Sequence, residues 1–284
     1  MLAKKRVKWQ SYEALKTNNK GTPLTKHTVT LEDKYLLRKG RIFITGTQAL
    51  VRLPLMQRWL DEKNGLNTAG FISGYRGSPL AGVDRELWNA STHLQSNHVV
   101  FTPGINEDLG ATAVWGSQQA NLFGDGKYDG VFGLWYGKGP GIDRSMDAMK
   151  HANAAGTDPN GGVLALIGDD HGCVSSTLGH QSEQNCIAAM MPMLHPASIQ
   201  EYLEMGLYGI AMSRYSGLWV GFKCVTEIVE SAASVDVDLD AIKPTFPDKT
   251  LLQNKKLSIR VPDNRFEQEW RLYEKLQAAV EFAR

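Results

Sequence analysis

Between residues 41 and 230, short apolar segments alternate with amphipathic ones, and this alternation constrains the fold more than any other feature. Short apolar runs bounded by glycine are typical of strands, whereas longer runs with apolar residues at helical spacing are typical of helices. Alternation at this length favours an α/β fold with a parallel sheet covered by helices on both faces. The predicted strands are 68–73, 99–102, 130–136, 162–168, 193–194 and 218–222.

Helices are predicted in the segments that connect these strands. Pro54 lies inside the first of them and predicts a kink or a late start, because proline lacks the N–H that an interior helical position donates. The segments at 137–141 and 169–179 are predicted to be loops. The predicted helices are 45–62, 81–91, 107–119, 142–155, 180–190, 199–215 and 265–284.

Four predicted loops follow strands and are the richest parts of the chain in glycine and charge. They cover residues 74–82, 104–107, 137–145 and 169–176. In an open parallel sheet, ligands bind beyond the carboxyl ends of the strands. We therefore expect a ligand site where these loops meet.

The helix after the second strand combines an acidic first turn with small residues. Asn106 is a good N-cap, and the helix dipole favours the negative charges of Glu107 and Asp108 in the first turn. Four small residues of this helix recur at helical spacing and therefore share one face. Such a face would allow another backbone to approach closely. These small residues are Gly110, Ala113, Ser117 and Ala120. Either this is an ordinary well-capped helix or Glu107 is held in a cleft for chemistry.

Charge and cysteine content exclude several classes of function. The chain carries 31 Lys and Arg against 30 Asp and Glu, which gives no electrostatic reason to expect nucleic acid or an anionic membrane as a partner. No apolar stretch of about 20 residues could span a bilayer. The three cysteines form no C-x-x-C pair, so they predict no iron–sulfur or structural zinc site and fit a reducing compartment. We expect a cytoplasmic protein.

Three further motifs are weaker than they first look. Gly-Asp-Gly at 124–126, followed by Asn153, imitates a magnesium–diphosphate motif, but it lies at the wrong end of the predicted sheet and Asn153 falls in a helix. The glycines of 137–141 lack the dinucleotide fingerprint, so a NAD-dependent dehydrogenase is not supported. Asp169, Asp170 and His171 could hold a cation, but no fourth ligand is evident and loop capping is the simpler explanation.

The chain divides into three predicted parts. Residues 1–40 form a polar N-terminal arm, 41–230 form the α/β domain, and 231–284 form a linker and the start of a further region. Polar alternation at 235–240 predicts an exposed strand, and Pro244, Pro247 and Pro262 indicate a linker. The last helix lacks a C-cap signal, so we expect a truncated chain.

Several of these segments resemble the 2-oxoacid:ferredoxin oxidoreductases. Ile-Ser-Gly-Tyr-Arg-Gly-Ser-Pro-Leu-Ala-Gly at 72–82 resembles their Tyr-Pro-x-Thr-Pro segment, and Asn-Glu-Asp-Leu-Gly-Ala at 106–111 resembles their glutamate segment. Gly-Asp-Asp-His-Gly-Cys-Val-Ser-Ser at 168–176 resembles a loop of the indolepyruvate branch, and 194–223 fits its long, fused type. The likeness runs through nearly the whole chain in order.

This resemblance implies that the chain is the pyrimidine-binding domain of a thiamine diphosphate enzyme. Glu107 would hydrogen-bond N1′ of the aminopyrimidine and favour the imino tautomer that deprotonates thiazolium C2. Ser78 would stand beside coenzyme and substrate, with Gly77, Pro79 and Arg76 completing the cofactor-binding segment. Arg76 replaces the proline of the family and Ser78 replaces its threonine. Arg76 would therefore either bind a carboxylate or lie on the surface with its hydroxyl neighbour turned inward.

The implied reaction is oxidative decarboxylation of an aryl 2-oxoacid, such as indolepyruvate, with coenzyme A as acyl acceptor and ferredoxin as electron acceptor. Magnesium and iron–sulfur clusters are expected from parts of the protein beyond residue 284, and the site is expected to need a homo-oligomer or pairing with those parts. The alternative is a catalytically silent binding or subunit module on the same fold. The chain alone is expected to bind thiamine diphosphate poorly and to lack turnover.

Overall fold

A computed structural model describes residues 29–243, 246–247 and 256–284. Most of the predicted N-terminal arm and part of the predicted linker, including Pro244, lie outside the described residues. The strands are β1 (Lys39–Thr45), β2 (Ala69–Gly74), β3 (Val99–Phe101), β4 (Val131–Lys138), β5 (Val163–Asp169), β6 (Met193–Leu194), β7 (Val220–Val225) and β8 (Ala232–Asp238).

The helices occupy most of the connections between the strands. A 3-10 turn at Leu80–Gly82 precedes the third of them. They are α1 (Asp33–Leu36), α2 (Gly46–Lys63), α3 (Val83–Asn89), α4 (Ser91–Ser96), α5 (Glu107–Ser117), α6 (Gly139–Arg144), α7 (Met146–Ala155), α8 (Glu183–Ala188), α9 (Ile199–Ser216), α10 (Thr226–Val229) and α11 (Arg265–Phe282). None of the helices within the described ranges has the length and apolarity needed to span a bilayer.

Six strands form one sheet in the order β3-β2-β4-β5-β7-β6. Each neighbouring pair is parallel, so all six carboxyl ends lie at one edge. β1 and β8 form a separate antiparallel ribbon in which Ile42 is paired with Val235. The predicted α/β class and parallel sheet are confirmed.

Helices cover both faces of the sheet. Successive side chains of β5 point alternately to the two faces, and each face packs against its own set of helices. Leu164 and Leu166 belong to one apolar cluster, which includes α2 and α9 residues, while Val163, Ala165 and Ile167 belong to a second cluster on the opposite face, with α5 and α7. All of these side chains are essentially inaccessible to water. Strands buried on both faces read as continuous apolar runs, which is why they were predictable from sequence.

Local signals fix some helix boundaries and tertiary contacts fix others. Thr45 and Gln48 form a capping box at 3.1 Å in each direction, so α2 begins at Gly46 and continues through Pro54. The predicted helix 142–155 is divided at Ser145 into α6 and α7. The predicted helix 81–91 is divided into a 3-10 turn and α3, and α4 follows it.

Two predicted segments had wrong boundaries, and one strand was not predicted. Residues 137–141 are not a loop, because Gly137 and Lys138 complete β4 and α6 begins at Gly139. The predicted helix 180–190 is reduced to Glu183–Ala188, since Asp169 holds both the backbone N–H and the hydroxyl of Ser182. β1 was not predicted, and it pairs with the segment predicted as an exposed strand.

The C-terminal helix packs on the α/β layer. Lys275 of α11 is fully buried and donates hydrogen bonds of 2.9 and 2.7 Å to the carbonyl oxygens of Asn153 and Ala154, at the end of α7. Phe282 lies against Tyr208 of α9, with 4.9 Å between ring centroids. The division of the chain at residue 230 stays a prediction.

Candidate active site

The loop after β2 crosses the carboxyl ends of β4 and β5. Tyr75 donates its N–H to the carbonyl oxygen of Tyr136 at 3.0 Å, which holds the loop to the end of β4. A Cβ atom on Gly168 of β5 would lie 3.0 Å from Pro79 Cδ, so Pro79 packs directly on the next strand. The segment 75–79 is therefore fixed across the middle of the sheet edge.

A polar cleft of about 370 Å³ opens beside this loop. Only one of its lining side chains, that of Val174, is apolar. The lining residues are Ser78, Lys138, Val174, Ser175, Ser176 and Thr177. Clefts of this size at the carboxyl edge of a parallel sheet are common positions for small-molecule sites.

Glu107 lies at the same edge, as the first residue of α5, and is 6% exposed. Asn106 caps the helix by accepting a hydrogen bond from Leu109 N at 2.9 Å. Trp135 of β4 donates its indole N–H to the Glu107 carbonyl oxygen at 3.0 Å, which fixes the start of the helix. Among the described residues, none makes a hydrogen bond or ion pair with the Glu107 carboxylate.

Glycines allow two close contacts around the start of α5, one with the Glu107 side chain and one with the end of β2. A Cβ atom on Gly141 of α6 would lie 2.7 Å from Glu107 Cγ, so this side chain occupies the space that a larger residue at 141 would need. A Cβ atom on Gly110 would lie 2.9 Å from the Cα atom of Gly74 at the end of β2. The close backbone approach that the sequence predicted for α5 is present at Gly110.

The prediction that the other small residues share this packed face was wrong. Ala113 and Ala120 are exposed and Ser117 is half-buried, whereas the packed face consists of Glu107, Gly110, Ala111 and Val114. The face continues to Gln118, which is fully buried and donates to Val131 O at 2.8 Å. The packed side is therefore rotated away from the small residues beyond Gly110.

The other predicted site residues take distinct positions. Ser78 lines the cleft, Pro79 is buried, and Arg76 is exposed. A Cβ atom on Gly77 would lie 2.8 Å from Lys138 Cδ, so the lysine stem passes directly over this glycine. Glu107 is not among the residues that line the polar cleft, and it borders α6 instead.

Asp169 and Asp170 hold the loop 170–182, as the simpler interpretation of this motif predicted. Asp169 accepts hydrogen bonds from Ser182 N and Oγ at 2.9 and 2.6 Å. Asp170 accepts from Val174 N at 2.9 Å, Ser175 N at 2.5 Å and Ser175 Oγ at 3.0 Å. Desolvation acts to raise the pKa of Asp170, but these hydrogen bonds outweigh it and hold the pKa below the usual range.

A buried lysine completes this side of the sheet edge. Lys223 of β7 forms ion pairs with Asp169, at 3.3 Å, and with Glu183 of α8. The Lys223 and Asp169 side chains are 1% and 0% exposed. Desolvation acts to raise the pKa of Glu183, but the bond from Lys223 lowers it overall. Lys223 thus neutralises the buried Asp169, and Glu183, whose side chain is 45% exposed, pairs with it from the solvent side.

The metal interpretation of 124–126 and Asn153 gains no support. Residues 124–126 are exposed and precede β4, so they lie away from the carboxyl edge. Asn153 is buried, donates to Ala189 O at 2.8 Å and accepts from Trp219 N at 2.9 Å. Within the part of the chain that the structure describes, no group of three or more His, Cys, Asp or Glu residues could hold a metal ion.

The sequence did not single out Lys138, Ser176 or Thr177 as site residues. Lys138 belongs to the glycine-rich segment 137–141, which the sequence predicts to lie near a ligand site without assigning a role to the lysine. The available signal was its position at the end of a buried strand, where parallel sheets bind ligands. Its place beside Ser78 depends on the packing of the loop after β2 on the end of β4, two segments that are distant in sequence.

The fold and the cleft define a doubly wound α/β domain with a polar site at its carboxyl edge. A solved structure with a similar fold is the 2-oxoglutarate:ferredoxin oxidoreductase from Magnetococcus marinus, with 2-oxoglutarate, coenzyme A and succinyl-CoA bound (TM-score 0.60, 13% identity). The likeness covers 86% of this chain and 46% of that one, so this chain spans about half of the protein it matches.

No family model matches the sequence, and the search of curated proteins found no match. At 13% identity the likeness establishes the fold alone. The fold that the sequence resemblance implied is thereby confirmed. The indolepyruvate type, the cofactor and the roles of the site residues stay predictions.

Proposed function

We propose that this chain supplies the aminopyrimidine side of a thiamine diphosphate site in a 2-oxoacid:ferredoxin oxidoreductase. The proposed substrate is an aryl 2-oxoacid of the indolepyruvate kind, converted to its acyl-CoA with ferredoxin as electron acceptor. The observation that carries this proposal is Glu107, whose buried side chain has no hydrogen-bond partner among the described residues. The similar fold of a 2-oxoacid:ferredoxin oxidoreductase supports the reaction class.

The residues around Glu107 fit an aminopyrimidine ring. The carboxyl group has no partner among the described residues and little contact with water, so a ligand nitrogen that shares a proton with it would supply the hydrogen bond that it lacks. Gly141 adds no side chain beside the carboxyl group, and Asn106 and Trp135 fix the backbone on which it stands. The site thus offers an immobilised carboxyl group for one ring nitrogen.

Thiamine diphosphate, when bound, supplies a nucleophilic carbon that adds to the 2-oxo carbon of the substrate. Glu107 would hold a proton between its carboxyl oxygen and N1′ of the pyrimidine. Glu107 as a whole is 6% exposed, which limits the water that could compete for this hydrogen bond. Proton sharing of this kind is typically worth about 10²- to 10⁴-fold in rate.

Ser78 is proposed to donate its hydroxyl to an oxygen of the substrate, since it lines the adjoining cleft. Gly77 and Pro79 would shape the loop that presents this hydroxyl, one beneath Lys138 and the other against β5. The exposure of Arg76 supports a position on the surface with its hydroxyl neighbour turned inward.

The aryl preference rests on the resemblance of 168–176 to the indolepyruvate branch. Because the lining of the described cleft is almost wholly polar, an aryl ring would have to lie outside it. Coenzyme A and ferredoxin are proposed partners. We also propose that magnesium and iron–sulfur clusters are held by residues outside this sequence and that the site requires pairing with another chain or domain.

The decisive test is Glu107→Gln in the assembled enzyme, measured as 2-oxoacid-dependent reduction of ferredoxin or a viologen dye. We expect a loss of at least about a hundredfold with an unchanged melting temperature, because glutamine keeps the shape but cannot share the proton. Asp108→Asn, one position along the same helix, is the matched control and should retain activity. Full activity of Glu107→Gln would remove Glu107 from the mechanism.

The isolated chain provides a second test. Isothermal titration with thiamine diphosphate and Mg²⁺ is expected to give weak binding, since only the pyrimidine side of the site is proposed to lie here. Tight stoichiometric binding would contradict this division of the site. Absence of 2-oxoacid-dependent reduction in the assembled wild-type protein would favour the silent module.

A further inference from the structure

We propose that Lys138 is the residue that binds the carboxylate of the 2-oxoacid, in the polar cleft formed with Ser78 and the loop 174–177. This inference rests on the proposed function, because it assigns part of the same site. It goes beyond that function by naming a cationic residue at the end of β4 that neither the resemblance nor the comparisons assign.

The first observation is that Lys138 has a charge without a partner. No carboxylate of the described residues lies within 4.0 Å of its ammonium group, although the side chain is half-buried. By contrast, Lys223 of β7 has two acidic partners. A half-buried cation that the protein itself does not neutralise favours an anionic ligand.

The second observation is that the lysine side chain packs on the loop that carries Ser78. A Cβ atom on Gly77 would lie 2.8 Å from Lys138 Cδ and 3.0 Å from Cγ, so the stem of the lysine lies against the loop that carries Ser78. Lys138 and Ser78 therefore face one cleft together. A cation beside a hydroxyl donor is a suitable arrangement for a carboxylate group.

The third observation concerns the opposite wall of the cleft. Asp170 accepts hydrogen bonds from Val174 N, Ser175 N and Ser175 Oγ, so its negative charge is used to hold the loop. The hydroxyl groups of Ser176 and Thr177 line the cleft, and they make no hydrogen bond to a described residue. These groups can donate to an oxyanion without competition from within the described protein.

Phosphate is the other oxyanion that such a cleft could take, from coenzyme A or from the diphosphate of thiamine diphosphate. We commit to the substrate carboxylate because Ser78, the proposed substrate-contacting hydroxyl, stands in the same cleft as Lys138. The phosphate sources are separate arms of the test.

The experiment compares Lys138→Met, Lys138→Arg and the control Lys150→Met in the assembled enzyme. Lys150 is an exposed lysine of α7 and lies outside the cleft. Binding of an unreactive 3-arylpropionate and of its matched alcohol is measured by isothermal titration, together with KM for the 2-oxoacid and binding of coenzyme A and of thiamine diphosphate with Mg²⁺.

We expect Lys138→Met to weaken arylpropionate binding and to raise KM by about tenfold to a hundredfold, the usual loss for a charge-assisted hydrogen bond. Lys138→Arg should recover part of the binding, and the alcohol should bind all variants alike. Unchanged arylpropionate binding by Lys138→Met would overturn the inference. Weakened binding of coenzyme A or thiamine diphosphate alone would also overturn it, and would assign the cleft to a phosphate.

The outcome is separable from that of the proposed function. If Glu107→Gln keeps its turnover while Lys138→Met loses the arylpropionate, the coenzyme role of Glu107 fails and the carboxylate site stands. If Glu107→Gln is inactive and Lys138→Met binds normally, only the Lys138 assignment fails.

Discussion

The two halves of the carboxyl edge are built on different principles. In the half formed by β5 and β7, charged side chains neutralise one another: Lys223 pairs with Asp169 and Glu183, and Asp170 binds its own loop. In the half formed by β2, β3 and β4, Glu107 and Lys138 have no charged partner among the described residues. The first half holds a loop in place, and the second presents groups to a ligand.

The two halves also differ in how their charged side chains are positioned. Where ion pairs are absent, close backbone contact fixes the side chains. The Gly104 N–H donates to the Gly74 carbonyl oxygen at 2.8 Å, and Gly110 lies against the Cα atom of Gly74. Backbone packing leaves the carboxylate and the ammonium group free for other partners, whereas an ion pair would consume them.

Removing one charge from each half should separate the two roles, and this contrast has the largest expected effect. Lys223→Met leaves Asp169 buried without a cation, which typically costs about 3–5 kcal/mol in the free energy of unfolding. Lys138→Met removes a charge that no described residue pairs with, so its unfolding free energy should change by less than about 0.5 kcal/mol. Urea unfolding at neutral pH measures both.

A double variant keeps this prediction testable if the single one folds poorly. Lys223→Met combined with Asp169→Asn removes the uncompensated charge and should recover part of the lost stability. Equal stability losses for Lys223→Met and Lys138→Met would mean that the two halves of the edge do not differ as described.

A second contrast lies within α5 and tests positioning by backbone contact. Gly110→Ala places a methyl group 2.9 Å from Gly74 Cα and 3.0 Å from its nitrogen, so the backbone must move at a cost of about 1–3 kcal/mol. Gly116→Ala meets nothing within 4 Å and should stabilise the helix by about 0.5–1 kcal/mol. Thermal unfolding should therefore shift in opposite directions. A shift of the same sign would show that the Gly74 contact is adaptable.

The parallel sheet could be predicted because strands buried on both faces have a local apolar signature. β1 could not, since its exposed alternation is weak and its partner β8 lies far along the chain. The cap of α5 was visible in Asn106, but its packed face was not. That face is set by Gln118, which accepts hydrogen bonds from Asp158 N and Gly162 N at 3.3 and 3.2 Å, in a part of the chain distant in sequence.

The same distinction holds for the candidate site. Ser78 and Glu107 could be proposed from segments that resemble a known family. Lys138 could not, because its significance depends on what is absent around its ammonium group and on a glycine 61 positions earlier in the chain. A residue type reveals its charge, but only the fold reveals whether that charge is already neutralised.

The smallest expected effect concerns the loop that faces the cleft. Because the pKa of folded Asp170 lies below the ordinary value of 3.8, its contribution to stability is complete above that value and is lost as pH falls through the folded pKa. Asp170→Asn should therefore be less stable than wild type from pH 5 to 7, and the difference should shrink below about pH 4. Urea unfolding across this range measures it, with Asp125→Asn, at an exposed side chain without an ion pair to a described residue, as the unchanged control. A difference that persisted undiminished to pH 3 would mean that the shape of the Asp170 side chain, and not its charge, holds the loop.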